Sequence, residues 1–413
     1  MRYDILVVGS GHAGAQLAIA LRQRRYSGRI GIVSEAADAP YERPPLSKAY
    51  LSGERSVDRI AIRPTEFWST HNIDLHGRCR VATVDCGRQE VQTLGGERFG
   101  YGTLVWAAGG RPRRLTCEGA GLAGVHVIRS REDVDRVRGE LDDVSGVGIV
   151  GAGFVGLEAA ATLSKLGKRV IVLESMDRVL ARVTAEPVSR FFEAVHASHG
   201  VELRLGARLL RICPAGTRAG GLQLADGEKL ACGLVIVGIG IDPEISPLTD
   251  AGARASKGGL EVDSHLKTTL PNVFAIGDCA THVSAFANHF QVRLESVQNA
   301  VDQANALAQT LTGQPTEYAA MPWFWSEQYD IRLQTIGLAV GYDDYVVRGR
   351  PETRSFSVVY LRQGRVIALD CINCARDFTQ ARALIARAFY PSRAALADPE
   401  IPLKSLDTAT SRQ

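Results

Sequence analysis

Apolar and polar positions along the chain alternate between two rhythms. Ile5 to Val8 is an unbroken apolar run that stops at Gly9-Ser-Gly11-His12-Ala13-Gly14. Ala15, Ala18 and Leu21 then recur at helical spacing, and a second run, Ile30 to Val33, ends beside Glu35. Short apolar runs bounded by turn residues are strands covered on both faces, so this stretch predicts strand, helix and parallel strand. The order repeats at Val147 to Ser175, where Gly151, Gly153 and Gly156 follow one run and Glu174 closes the next. Three more buried runs stand out: Thr103 to Trp106, entering Ala107-Ala108-Gly109-Gly110-Arg111; Leu234 to Ile241, containing Gly238-Ile239-Gly240; and Pro271 to Ala280, ending in Gly277-Asp278. After the Gly313-Gln314-Pro315 break the rhythm changes to period two. Ser355 to Asp370 alternates around Gln363-Gly364, a β-hairpin signal, and helix-spaced residues follow from Asp377 to Phe389.

At 413 residues the chain exceeds one hydrophobic core, and two or three domains are expected. No apolar run reaches the roughly 18 residues of a membrane span, and a strand beginning at Tyr3 leaves no room for a targeting peptide. The 48 basic residues against 45 acidic ones form no block able to track a nucleic-acid backbone. The eight cysteines lack disulfide-framework spacing, which points to reduced thiols and a cytoplasmic setting. Cys371-Ile-Asn-Cys374 has neither the turn before a helix expected of a redox pair nor a second pair for zinc, so no metal site is predicted.

The glycines carry chemistry. Gly9 and Gly151 permit the tight turn, Gly11 and Gly153 let a pyrophosphate approach the backbone, and Gly14 and Gly156 let the helix pack on the strand. The helix starts, at His12-Ala13 and Phe154-Val155, aim backbone N–H groups at a phosphate. Glu35, 24 residues after Gly11, and Glu174, 21 after Gly153, are placed to accept from a ribose diol. A glycine turn of this kind can be merely structural, but strand, helix and distal acid are all present twice. Two complete fingerprints mean two dinucleotides, the arrangement that moves a hydride from a nicotinamide to a flavin. A carboxylate at Glu174 repels a 2′-phosphate and favours NADH. Asp278 either caps a helix or bonds the flavin chain.

These motifs, with PPLSKAYL, AAGGRPR, GFVGLE, RVLARVTAEPVS, AIGDCA, RLESVQNA and PWFWSEQYD, resemble the ferredoxin reductases of bacterial oxygenase systems, the putidaredoxin-reductase-like group with a glutathione-reductase-like fold. The resemblance runs from Tyr3 to about Leu406. It implies an α/β chain with two Rossmann-like domains and a small C-terminal α+β domain. The division would be 1–110 and 243–318 for FAD, 111–242 for NAD and 319–413 for the C-terminal domain. It implies FAD and NADH as cofactors and a two-iron two-sulfur ferredoxin as acceptor, feeding a haem monooxygenase or a ring-hydroxylating dioxygenase. Monomers and homodimers both occur among such proteins.

By the same resemblance, FAD is held by Gly9, Gly11, His12, Ala13, Gly14, Glu35, Arg43, Ala107, Ala108, Gly109, Arg111, Gly277 and Asp278. Glu295, Ser296 and Val297 start a helix beside the pyrimidine edge, and Trp325 lies near the flavin edge. Trp323, in the same aromatic cluster, reads as core, the usual place of such clusters. NAD is held by Gly151, Gly153, Phe154, Val155, Gly156, Glu158, Glu174, Gly238, Ile239 and Gly240. Tyr41 to Leu51, YERPPLSKAYL, has no cysteine where a disulfide reductase of this fold would carry a redox pair. Lys48 is implied to lie near flavin N5, paired with Glu158, on a turn that Pro44 and Pro45 stiffen. A cation there stabilises the anionic reduced ring. Against this stand plainer readings: Lys48 as a solvated turn lysine, and Glu158 as a first-turn helix acid that suits the dipole. An NADH oxidase, a rubredoxin reductase and a monodehydroascorbate reductase share the fold, and a redox-sensing protein like apoptosis-inducing factor is an alternative of another class.

Overall fold

The computed structural model describes residues 1–387 and 389–408. The chain groups into two compact units. The first is Met1–Arg43, Arg55–Arg111 and Ile241–Ala320; the second is Pro44–Glu54, Pro112–Gly240 and the stretch from Met321 onward. The short Pro44–Glu54 segment, expected with the first fingerprint, groups with the second.

In the first unit, Arg2–Val8 lies between Ile30–Val33 and Arg98–Trp106, all parallel. Ile73–His76 extends the sheet beyond Ile30–Val33, and Val273–Ala275 pairs in parallel with Arg98–Trp106. Glu90–Thr93 and Val81–Asp85 complete it in antiparallel fashion. Leu6, Val7, Leu104 and Val105 are fully buried, as central strands covered by helices require. The helices His12–Gln23 and Val297–Leu311 pack together, and Gln16 Nε2 donates to Asn305 Oδ1 at 2.8 Å. Val8, Val33, Trp106 and Ala275 stand in register at the carboxyl edge, where ligands of such sheets bind.

The second unit repeats the plan. Gly146–Val150 lies between Arg169–Leu173 and Leu234–Val237, with Glu202–Arg204 and Val125–Val127 at the edges, all parallel. Its C-terminal portion is a five-stranded antiparallel sheet in the order Trp323–Gln328, Ile331–Gly337, Arg365–Ile372, Ser355–Arg362, Asp344–Arg350. The Gln363-Gly364 turn has φ of 50° and 77°, the left-handed pair a two-residue hairpin needs. The following helix is Ala375–Ala386, two residues earlier at its start than the spacing predicts, so Cys374 is its N-cap and the Cys371–Cys374 pair does precede a helix, against the sequence reading; residue 388, inside the predicted span, lies outside the described residues.

One buried charge ties this sheet to the chain's end. Arg348, 2 % exposed, donates to Asp377 Oδ2 at 2.9 Å and to the carbonyls of Leu396, Asp398, Pro399 and Ile401. A buried guanidinium is tolerated when its donors are met this fully.

Candidate functional site

The two glycine turns are built alike. Gly9 and Gly151 have φ of 110° and 105°, which side-chain-bearing residues rarely adopt. A Cβ at Gly14 would collide with the Gly9 carbonyl, and one at Gly156 with the Gly151 carbonyl. The helices can therefore sit this close to their strands only because glycine is there. Gly11 and Gly153 differ from these: a Cβ on either would meet nothing within 4 Å. That open face, at the start of a helix, fits a pyrophosphate in both turns.

Around the first turn, the Gly9 Cα faces the carbonyl of Ala107, followed by Ala108 and Gly109, the last at φ 65°. A cleft of about 90 Å³ beside it is lined by Ser10, Ser34, Ala36, Asp38, Pro40 and His76. Glu35 is exposed and pairs with Arg111 at 2.8 Å, and Arg111 also pairs with Glu244. Arg43 stacks over the Tyr41 ring at 4.8 Å. Gly277 N donates to buried Gln303 Oε1 at 2.7 Å, and Arg293 donates to the Asp278 carbonyl at 3.0 Å, so the Gly277-Asp278 turn is held from both sides. Ser296 is the N-cap of Val297–Leu311 and accepts from Asn299 N at 3.1 Å; Glu295 pairs with Arg293 at 2.7 Å. Around the second turn, Gly238 takes the place Ala107 has in the first, Ile239 follows it, and the Gly240 carbonyl accepts from Arg113 N at 2.9 Å. Glu174 accepts from Ala152 N at 2.8 Å and from Met176 N at 2.9 Å.

The cysteine-free turn resolves into a cluster within the second unit. Pro44–Ser47 is a short 3₁₀ turn, consistent with the fixed φ of its two prolines. It lies on the Phe154–Lys165 helix, where Thr162 Oγ1 donates to the Ser47 carbonyl at 2.8 Å. Glu158, 5 % exposed, points at this turn. Its Oε2 accepts from Lys48 Nζ at 2.5 Å and from Ser47 Oγ at 2.6 Å, and its Oε1 accepts from Ser326 Oγ at 2.7 Å. A buried carboxylate stays acceptable because a cation and two hydroxyls compensate it. Lys48 Nζ also donates to the Pro44 carbonyl at 3.2 Å. With two of three N–H donors engaged, one remains for a ligand.

Two expectations need correction. Glu158 is the fifth residue of its helix, past the first turn, so the dipole does not account for it. Trp323 is half-buried rather than core. It and Trp325 lie on one face of their strand with ring centroids 5.5 Å apart, because residues two apart share a face. The other face carries Phe324, Ser326 and Gln328. Phe324 packs on Phe154 at 4.5 Å, and Gln328 Oε1 meets His196 Nε2 at 2.8 Å. Cys279, the thiol beside Asp278, is fully buried against the Trp106 and Ile276 carbonyls, and burial pushes it up to about 12. It is held as a thiol, unsuited to redox exchange. Sequence reasoning missed Ser47 and Ser326. Ser47 is visible only as the neighbour of Lys48; Ser326 is visible only as the residue between two tryptophan-face positions.

Two nucleotide turns on parallel sheets, joined to an antiparallel C-terminal sheet, define an oxidoreductase that works with two dinucleotides. A family model described as pyridine nucleotide-disulphide oxidoreductase matches residues 3–304, and one described as reductase C-terminal matches 323–407. The chain belongs to the pyridine nucleotide-disulphide oxidoreductase family, and FAD and NAD(P)H are its cofactors. It is 52% identical over 408 residues to a ferredoxin–NAD(P)+ reductase of a Sphingomonas species, covering 98% of each chain. It is 35% identical to putidaredoxin reductase of Pseudomonas putida, covering 99% of this chain and 98% of that one. Among solved structures, a ferredoxin reductase for the CYP199A2 system of Rhodopseudomonas palustris superposes with a TM-score of 0.93 at 37% identity, covering 97% and 99% of the two chains. A covalent putidaredoxin reductase–putidaredoxin complex gives 0.94 at 36%, covering 99% of each. No helix among the described residues is long and apolar enough to cross a membrane.

Proposed function

We propose that this chain is an NADH-driven ferredoxin reductase that delivers single electrons to a two-iron two-sulfur ferredoxin serving a haem monooxygenase or a ring-hydroxylating dioxygenase. The ion pair of half-buried Lys48 with buried Glu158, on a cysteine-free turn, carries the reading. Bound FAD supplies the exchange between a two-electron donor and a one-electron acceptor.

The chain's own residues divide the remaining work. The Gly9–Gly14 turn, with Arg43, the Ala107–Arg111 crossover, Gly277-Asp278 and Glu295–Val297, holds FAD. The Gly151–Gly156 turn, Glu174 and Gly238–Gly240 hold NADH, the Glu174 carboxylate disfavouring a 2′-phosphate. Residues 1–110 and 243–318 make the flavin domain, 111–242 the nicotinamide domain and 319–413 the domain nearest the acceptor, with Trp325 on its flavin side. Lys48 offers its remaining N–H to the ring and offsets its charge on reduction, and Glu158 keeps the ammonium oriented. Eight free cysteines suit a cytoplasmic protein. Monomer and homodimer both remain compatible with the chain.

The test is stopped-flow mixing with NADH without oxygen, then with a two-iron two-sulfur ferredoxin. The flavin colour should bleach and then return as the ferredoxin is reduced, far faster than with oxygen. Persistent colour after NADH, or equal rates with oxygen and ferredoxin, would overturn the proposal. The buried thiol of Cys279 argues against the oxidase.

A further inference from the structure

The hydrogen bonds behind Glu158 run in one direction. Gln328 Oε1 faces His196 Nε2 at 2.8 Å, and its Nε2 faces Ser326 Oγ at 3.2 Å. The amide oxygen can only accept, so His196 carries its proton on Nε2. The amide nitrogen can only donate, so Ser326 accepts there and gives its own proton to Glu158 Oε1 at 2.7 Å. Glu158 Oε2 is already taken by Lys48 and Ser47. Among the described residues, Ser326 is the only donor to Oε1. Ser326, Gln328 and His196 are all buried, so water does not substitute for a missing member.

We infer that Ser326, backed by Gln328 and His196, is a positioning residue that fixes the carboxylate plane of Glu158 and through it the direction of the Lys48 ammonium. A carboxylate held through one oxygen can rotate about its Cγ–Cδ bond; held through both, it cannot. The consequence reaches across the Trp323–Gln328 strand. Its tryptophans occupy one face and Ser326 the other, so the strand that presents Trp325 also aims Lys48. The C-terminal sheet is on this reading part of the reaction site as well as a surface for the acceptor. The inference rests on the role proposed above for Lys48.

The experiment is acetic anhydride labelling of Lys48 in the flavin-loaded protein, read by peptide mass spectrometry, alongside the rate of flavin reduction by NADH. Ser326→Ala should label Lys48 several-fold faster and slow flavin reduction about tenfold, the scale of one hydrogen bond to a charged group. Ser326→Thr, which keeps the hydroxyl, should restore both. In a Glu158→Gln background, Ser326→Ala should add nothing to either reading. Wild-type labelling in S326A, or an equal effect of S326A with and without Glu158, overturns the inference. If S326A does not fold, Ser326→Cys keeps the volume with a weaker donor and should fall between wild type and the expected alanine values; wild-type values for S326C overturn it equally. A normal flavin-reduction rate in Lys48→Met would instead remove the role of Lys48, while an impaired K48M with a silent S326A removes this inference alone.

Discussion

Gln16 and Glu158 occupy the same place, two residues past the last glycine of each fingerprint, and do different things. Gln16 makes a neutral hydrogen bond to Asn305 on the neighbouring helix. Glu158 is buried and gathers a lysine and two serines. The turns before them match in φ and in the collisions a side chain would cause. One glycine backbone is thus used twice, and chemistry enters through one side chain two residues past it. A scaffold position open to either an amide or a carboxylate is where the two sites diverge.

The largest effects test the likeness of the turns. Valine at Gly14 or Gly156 must displace a carbonyl, costing about 3 kcal/mol, roughly 100-fold in affinity. G14V should purify without flavin; G156V should stay yellow and fail to bleach with NADH. If both lose flavin, the two turns do not serve separate ligands.

Acid should separate the units next. Burial pushes His282 of the first unit and His196 of the second down to about 4. A histidine depressed on folding contributes stability above its unfolded value near 6.5 that is lost as pH falls towards 4, about 3 kcal/mol each. In the second unit Asp370 opposes this. Burial raises it to about 6, although Thr335 and Tyr360 donate to it, so its contribution is present at low pH and lost as pH rises through 6. The two terms offset in the second unit and not in the first. Amide exchange at pH 5 should therefore accelerate in Arg2–Val8 before Gly146–Val150, and His282→Gln should abolish the difference.

The divergence itself is tested by exchanging the side chains. E158Q should slow flavin reduction by NADH about 100-fold, whereas Q16E should leave it unchanged and alter stability by less than about 1 kcal/mol. Equal slowing in both would mean that helix integrity, rather than the carboxylate, controls the rate. The distal acids should give the smallest contrast. E174A strips Ala152 N–H of its partner and should weaken NADH about tenfold in titration. E35A breaks an exposed ion pair with Arg111 and should weaken FAD about threefold or less.

Much of this was legible from spacing. The strand-turn-helix units and the Gln363-Gly364 hairpin emerged where predicted, because strand and helix periods and glycine requirements are local; the helix expected from about Arg293 begins at Val297, after a strand that ends at Arg293. Lys48 and Glu158 were found through resemblance; their spacing of 110 residues holds no local signal. Trp323 was misplaced because an aromatic cluster was weighed by composition, when the two-residue period already put it beside Trp325. Ser326 has no signature at all, being a small polar residue in an edge strand.

The sequence alone determined two glycine turns between strand and helix, two parallel sheets and the absence of a cysteine at the Pro44-Pro45 turn, since each depends on residues near one another in the chain. Tertiary structure decided what surrounds the Glu158 carboxylate. Ser47 lies 111 residues from it and Ser326 168, and only packing brings such distant donors onto one buried charge.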